Sequence, residues 1–141
     1  MAETTTANTQ QQTEQPVTIN VVANPPNLIS INATAQLPVK LSPTNYSSWR
    51  AQFYSLLFGY DLLVYLDGTK LCPPLTITEK MSIPNPTHIH WERQDNLLLH
   101  AILASASEAV MPLIASATTS RDAWIRVAPL YANKSHLLNL T

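Results

Sequence analysis

The side chains best suited to chemistry in this chain are one cysteine and two closely spaced histidines. Cys72 is the single cysteine, and His88 and His90 form a His-x-His pattern. A zinc site needs about four converging donors, whereas residues two apart on a helix point to different faces. Cys72 follows Lys70 in a proline-rich stretch, but no histidine or asparagine stands nearby in the sequence to activate it. The pattern therefore predicts surface or helix-start histidines, and neither a metal site nor a catalytic thiol.

Carboxylates and glycines also lack the spacing of an enzyme motif. Glu92, Asp95 and Glu108 lie on or beside predicted helices and are interpreted as solvated faces or helix caps. The chain has two glycines, Gly59 and Gly68, which effectively excludes a glycine-rich phosphate loop. We therefore predict no enzyme: no catalytic residue, no cofactor, no metal and no small-molecule substrate.

Charge and hydropathy bear on nucleic-acid and membrane partners. Eight Lys and Arg residues oppose nine Asp and Glu residues, and the basic residues are scattered singly. Because nucleic-acid binding usually needs a clustered basic footprint, RNA binding by this chain alone is not expected. The N-terminus lacks the features of a signal peptide, and the longest nearly apolar run, Leu97 to Ala106, is too short to span a bilayer. We expect an intracellular, cytoplasmic protein without membrane contact.

The beginning of the chain differs in composition from the rest. Residues 1–16 consist mainly of Thr, Gln, Asn, Ala and Glu, which bury too little apolar area to offset ordering costs of about 1–2 kcal/mol per residue. We predict a disordered low-complexity tail over residues 1–27 and one domain over residues 28–141. Within residues 17–41 the alternating runs favour short extended pieces. The segment from Leu37 to Leu41 is expected to lie extended against a helical body.

Apolar residues at steps of three and four predict an all-α fold, a small bundle of about five helices. The first helix should begin between Pro43 and Ser47 and end at Gly59, a natural stop. Its apolar face consists of Tyr46, Trp49, Phe53, Leu56, Leu57 and Tyr60.

Local capping signals predict the next two helices. A short helix over residues 61–66 should be capped by Asp61 and closed by a turn at Asp67 and Gly68. Asn85 and Pro86 then predict the start of a long helix that runs to about residue 104 and is the most buried one. Its apolar stripe includes Trp91, Leu98 and Ile102.

The remaining helices carry prolines. Residues 105–108 match a capping box and predict a fourth helix through residue 115, kinked at Pro112. Ser120 is expected to cap a fifth helix that ends early or bends at Pro129. The apolar stripe of that helix is Trp124, Val127, Ala128 and Tyr131. Residues 135–141 are interpreted as the first turns of a further, truncated helix.

The three tryptophans, Trp49, Trp91 and Trp124, each stand in an apolar stripe. We interpret them as core anchors rather than as ligand-binding or base-stacking residues. Truncation of such a ring to alanine typically costs about 3–5 kcal/mol.

An ordered series of short motifs runs through residues 28–141. The motifs are Leu37–Leu41, Asn45-Tyr46…Trp49, Leu57–Leu62, Asp67–Thr69, Asn85-Pro86…Trp91…Asp95…Leu98, Ser107-Glu108…Pro112 and Thr118–Ser120…Trp124…Tyr131–Ser135. Each motif alone is weak, but the series, in this order, resembles the N-terminal region of the Gag polyprotein of plant copia-type LTR retrotransposons. The signature residues that the resemblance implies are Tyr46, Trp49, Phe53, Gly59, Tyr60, Asp67, Gly68, Trp91, Leu98, Trp124 and Tyr131.

The resemblance implies a capsid N-terminal-domain-like fold whose partners are copies of itself or related Gag subunits. Three departures stand against a complete Gag: the chain stops where the family continues, it has no zinc knuckle, and Pro129 interrupts an expected helix. The expected function is therefore a Gag-derived structural, self-association domain, in fragment or remnant form. Nucleic acid would be bound only indirectly, through downstream Gag regions. The alternative is a domesticated, standalone helical adaptor that binds another protein.

Overall fold

The computed structural model describes residues 26–78 and 82–138, with side chains described as far as residue 131. The predicted all-α class is confirmed, and the described residues form six helices rather than about five. The additional helix is the short α1. The helices are α1 (Ala33–Gln36), α2 (Tyr46–Gly59), α3 (Leu63–Leu66), α4 (Pro86–Ala104), α5 (Met111–Ile114) and α6 (Ser120–Leu138). The predicted low-complexity tail lies almost entirely outside the described residues.

Helix α4 follows the sequence prediction at both ends. Asn85 adopts an extended conformation and its side-chain oxygen accepts a hydrogen bond from the Thr87 N–H, while Pro86 occupies the first turn. Because proline has no N–H to satisfy there, this start is favourable. Leu98 and Ile102 are fully buried, and α4 packs against α6. The cap and the apolar stripe together place α4 in the centre of the bundle.

Helix α2 ends for a reason that the sequence analysis assigned wrongly. Asp61, expected to cap the following helix, instead has a left-handed conformation with φ of 58°. The Leu62 N–H donates to the Leu57 carbonyl at 2.8 Å, and the Asp61 N–H donates to the Phe58 carbonyl at 3.1 Å. This pair of bonds is a Schellman motif, in which aspartate tolerates the left-handed position better than most residues. Asp61 therefore terminates α2, and α3 begins after Leu62 without a side-chain cap.

The predicted capping box at residues 105–108 is also wrong, because a long-range contact uses its serine. Ser105 is buried at the end of α4, where its hydroxyl accepts from the Trp49 indole N–H and donates to the Ile102 carbonyl. The Ser105 carbonyl accepts from the Leu41 N–H at 2.7 Å, and the Ser107 N–H donates to the Leu41 carbonyl at 2.9 Å. Ser105 therefore ends α4 as its C-cap and is not free to cap a new helix. Helix α5 therefore spans only Met111–Ile114, with Pro112 in its first turn rather than at a kink.

Helix α6 continues past Pro129, where an early end or a bend was expected. Pro129 and Ile125, the residue whose carbonyl loses its intrahelical partner, both lie on the exposed side of the helix. Water can replace a lost backbone bond on that side, so the proline is tolerated. Residues 135–138 belong to this same helix and do not start a new one. The last residues, 139–141, lie outside the described part.

A buried carboxylate connects α4 to the start of α6. Asp95 was interpreted as part of a solvated face or a cap, but only 2% of its surface is exposed. Both of its oxygens accept from the Ser120 N–H at 3.3 Å, and one also accepts from the Ser120 hydroxyl. A carboxylate at a helix N-terminus satisfies free N–H groups and interacts favourably with the helix dipole. Asp95 thus caps α6 from a different helix.

Two glutamine side chains hold the N-terminal segment, residues 26–41, against α2 and α4. One binds it before α1 and the other after α1. Gln94 on α4 bonds to both the N–H and the carbonyl of Ile29, at 2.8 and 2.9 Å. Gln52 on α2 bonds in the same way to Val39, with both distances 3.0 Å. Each amide completes the hydrogen bonds that a neighbouring strand would otherwise supply. Residues 37–41 are non-helical and pack against the helical body as predicted, with Leu37 and Leu41 buried, but the chain bends at Val39 and is not extended throughout.

Burial raises the pKa of Asp95, and the hydrogen bonds from Ser120 oppose this shift only in part. The native state therefore holds its proton to higher pH than the unfolded chain, in which an aspartate titrates near about 3.9. The stability contributed by Asp95 is complete below that value and is lost as pH rises through the raised native pKa. In urea unfolding between pH 4 and 7, the wild-type protein should lose stability with rising pH relative to Asp95→Asn. A difference that stays constant, or that grows in favour of the wild type as pH rises, would contradict this.

Replacing each of the two glycines by alanine should change the free energy of unfolding in opposite directions. Gly68 has a φ of 80°, so Gly68→Ala forces an L-residue into the left-handed region and should destabilise the protein by about 1–2 kcal/mol. Gly59 is helical, and a Cβ there meets no atom within 4 Å, so Gly59→Ala should stabilise by about 0.5–1 kcal/mol. Urea unfolding of the two variants measures both effects. Destabilisation by Gly59→Ala would show that Gly59, and not Asp61, is required to end α2.

Candidate protein–protein interface

The signature residues implied by the resemblance are distributed through the bundle and do not converge on one site. Tyr46, Trp49, Phe53, Leu98 and Tyr131 are buried; Trp91, Trp124 and Gly68 are half-buried; Gly59, Tyr60 and Asp67 are exposed. This distribution describes a folding framework. A functional surface must therefore be sought among the exposed residues that this framework positions.

An aromatic cluster fixes the inner side of α2. The Trp49 ring lies 5.3 Å from Phe53 on the same helix and 5.5 Å from Trp124 on α6, measured between ring centroids. The Trp49 indole N–H donates to the Ser105 hydroxyl at 3.0 Å. Tilted aromatic pairs at these distances add about 0.5–1.5 kcal/mol each beyond burial. The cluster therefore holds α2 in one rotational orientation.

The outer side of α2 carries an exposed stripe, the α2 stripe, formed by Arg50, Tyr54 and Phe58. The Tyr54 and Phe58 rings stack with their planes 9° apart and their centroids 6.5 Å apart. The Arg50 guanidinium lies over Tyr54, at 5.6 Å, and over Trp124, at 5.8 Å. Phe58 is 70% exposed and Tyr54 is 44% exposed. Since the side chains order one another, the stripe is a preformed aromatic surface.

Charge is nearly absent from α2, which makes its exposed side typical of a contact surface. Arg50 is the one charged residue of the helix, whose sequence is YSSWRAQFYSLLFG. The centres of protein interfaces are enriched in Tyr, Phe and Arg and depleted of Lys, Glu and Asp. The sequence analysis assigned only the inner face of α2 and missed this one. The spacing of Arg50, Tyr54 and Phe58 at i, i+4 and i+8 was the available signal.

Exposed apolar side chains also occur on α5 and α6 (Met111, Leu113, Ile125 and Leu130), and the described part of the chain has two further exposed apolar regions near α4. One is a groove of about 520 Å³ on the outside of α4, the α4 groove. Its lining combines apolar, charged and polar side chains: Leu28, Ile89, Glu92, Arg93, Asn96 and Leu97. The other is the loop before α4, where Leu71 is 77% exposed and Leu75 is 67% exposed. Neither contains a pair of stacked aromatic rings like Tyr54 and Phe58 in the α2 stripe.

The structure brings Cys72 and His88 together, although the sequence showed no base near the thiol. His88 Nδ1 lies 3.2 Å from the Cys72 sulfur but only 2.8 Å from the Pro73 carbonyl. A carbonyl can only accept, so Nδ1 carries the proton and is not free to take one from the thiol. Desolvation, followed by the negative charges of Glu92 and Asp95, raises the pKa of Cys72. The pair therefore lacks an activated nucleophile.

The second histidine of the His-x-His pattern points elsewhere. His90 Nε2 donates to the Pro26 carbonyl at 2.7 Å, while His88 Nε2 faces Glu92 at 3.4 Å. Over the described residues, no group of three or more His, Cys, Asp or Glu side chains is arranged to hold a metal ion. In the same part of the chain, none of the helices combines the length and apolar character needed to cross a membrane.

Comparison with known proteins gives two clear matches. The retrovirus-related Pol polyprotein from transposon RE2 of Arabidopsis thaliana is 38% identical over 111 residues, which are 78% of this chain. The corresponding polyprotein from transposon RE1 of the same plant is 36% identical over 117 residues, or 82% of this chain. The chain is related to retrotransposon polyproteins. It spans only 8% of the length of each of these relatives. No protein-family model and no solved structure matches it.

The environment of Cys72 predicts slow thiol chemistry. Since only the thiolate reacts, a raised pKa should make alkylation by iodoacetamide at neutral pH slower than that of free cysteine. The pH dependence of the rate gives the pKa directly, and His88→Ala should leave the profile nearly unchanged. A pKa below that of a free thiol, abolished by His88→Ala, would instead show that the histidine activates the cysteine.

Proposed function

We propose that residues 28–141 are a copia-type Gag N-terminal domain whose function is structural: it associates with copies of itself or with related Gag subunits. The similarity to retrotransposon polyproteins over about four-fifths of the chain supports the origin. The ordered motifs of the sequence support the assignment to the Gag part. Gag domains of this family self-associate into particles that package the element's RNA. We propose that this protein acts in the cytoplasm, where such particles would assemble, and we assign it no catalytic step.

The observation that carries the proposal is the preformed aromatic surface on the outside of α2, in which Arg50 is the one charged residue. Exposed large apolar side chains that are held in fixed positions favour protein contact, because little side-chain entropy is lost on binding. Phe58 and Tyr54 meet this condition, since they stack on each other and Arg50 covers Tyr54. An enzyme active site would instead require converging polar groups in a pocket.

RNA contact is assigned to other parts of a longer polyprotein. The net charge of this chain is −1, and its basic residues are scattered. Phosphate binding that survives physiological salt requires several clustered Lys or Arg contacts. The role of this domain in packaging is therefore to supply protein contacts, while a segment outside it binds the nucleic acid.

Sedimentation velocity from about 10 to about 500 µM protein tests the proposal, because small interfaces give weak, concentration-dependent association. The mean mass should rise above the 15.6 kDa of one chain. The purified chain should also co-sediment with particles formed by a longer related Gag protein. A protein that stays monomeric throughout and fails to enter such particles would contradict the proposal and favour the adaptor alternative.

A further inference from the structure

The charges at the two ends of the α2 stripe have opposite sign. Arg50 stands at its N-terminal end, followed by Tyr54 and Phe58. Asp61 is exposed and lies two residues after Gly59, the last residue of α2, near the other end. At 1.5 Å per residue, the helix rises about 16 Å between positions 50 and 61. Along the chain the order is therefore positive, aromatic, aromatic, negative.

This order is self-complementary when two copies pack antiparallel. A two-fold axis between Tyr54 and Phe58 places the two aromatic pairs against each other. The same axis brings Arg50 of each copy opposite Asp61 of the other. It also brings each Arg50 to the C-terminal end of the opposing helix, where the helix dipole favours a positive charge. The two Arg50 residues lie about 18 Å apart, beyond the screening length of about 8 Å at physiological salt.

We propose that the partner at this surface is a second copy of the same chain, bound through an antiparallel α2–α2 contact with two-fold symmetry. A contact of this kind uses one patch on both subunits, so the patch must complement itself. The order of charges on the α2 stripe meets that requirement. The proposal rests on the self-association proposed above and names the surface that performs it.

The contact area sets the expected strength. With Phe58 70% exposed and Tyr54 44% exposed, each copy offers on the order of 200 Å² of aromatic surface. A stable, standard-size interface buries about 1,600 Å² in total. The α2–α2 contact is therefore expected to be weak and to depend on protein concentration. Weak contacts of this size become effective when many copies are joined in one particle.

The α4 groove fits a second copy less well. Its charged residues, Glu92 and Arg93, are adjacent in sequence and lie beside its apolar residues. A two-fold contact centred there would desolvate both charges at its centre, which costs more than burying the uncharged rings of Tyr54 and Phe58. The α2 stripe keeps its charges at the rim and its aromatic rings in the centre, which is the arrangement of interface hot spots.

Charge reversal tests the contact by sedimentation velocity. Arg50→Asp places two aspartates at each end of the dimer, and Asp61→Arg places two arginines there, so each variant should self-associate at least about tenfold more weakly. In an equimolar mixture, the Arg50→Asp chain and the Asp61→Arg chain pair both ends correctly. The mixture should therefore recover association close to that of the wild type.

Controls separate the contact from nonspecific charge effects and from misfolding. Arg93→Asp and Glu108→Arg make the same charge changes on other exposed surfaces and should leave association unchanged. Phe58→Ser removes an exposed ring with little effect on folding and should weaken association as strongly as the charge reversals. Thermal unfolding of each variant verifies that it is folded. Because Asp61 is left-handed, Asp61→Asn removes its charge with a residue that tolerates this conformation, and it should also weaken association.

The outcomes distinguish the two proposals. If the wild-type chain associates but the reversals have no effect, or the mixture does not recover, the α2–α2 contact is wrong and self-association uses another surface. Weakening by Arg93→Asp with no effect of Phe58→Ser would place that surface at the α4 groove. If the wild-type chain remains monomeric, self-association itself is overturned.

Discussion

The buried indole of Trp49 is the interaction on which the rest of the arrangement depends. It joins three separate parts of the chain, because it stacks on Phe53 within α2, contacts Trp124 on α6 and donates a hydrogen bond to Ser105 at the end of α4. The Ser105 carbonyl in turn accepts from the Leu41 N–H, which attaches the N-terminal segment. Removing the ring would leave a cavity and an altered hydrogen-bond network at the point where these elements meet.

The orientation of α2 follows from this contact and determines what the surface offers. Trp49 and Phe53 point inward, and Arg50 and Tyr54, about 100° further round the helix, are exposed, as is Phe58 in the same row. One helix of 14 residues therefore supplies both a core face and an exposed aromatic face. The inner rings are buried in the core, while the outer rings are exposed without any rearrangement of the fold. A preformed surface of this kind lowers the cost of association.

Local chemistry predicted the elements whose ends it controls. Asn85 and Pro86 marked the start of α4, and periodicity identified the buried side of α2. Elements controlled by distant contacts were not predictable from spacing. The sequence at Ser105 resembles a helix start, but the Ser105 hydroxyl bonds to Trp49, which is 56 residues away in sequence. Asp95 likewise caps α6 from a position 25 residues before Ser120. The spacing of the α2 stripe was visible in the sequence, but only the stronger apolar pattern of the core face on the same helix was interpreted.

Intermolecular nuclear Overhauser effects test the central claim most directly, namely that α2 uses its outer face to contact another copy. A sample at high concentration would contain equal amounts of isotope-labelled and unlabelled chain, with filters that select contacts between molecules. The account predicts cross-peaks between the ring protons of Tyr54 and Phe58 of different copies. Cross-peaks confined to Leu28, Ile89 and Leu97 of the α4 groove, in a sample that sediments as a dimer, would contradict it.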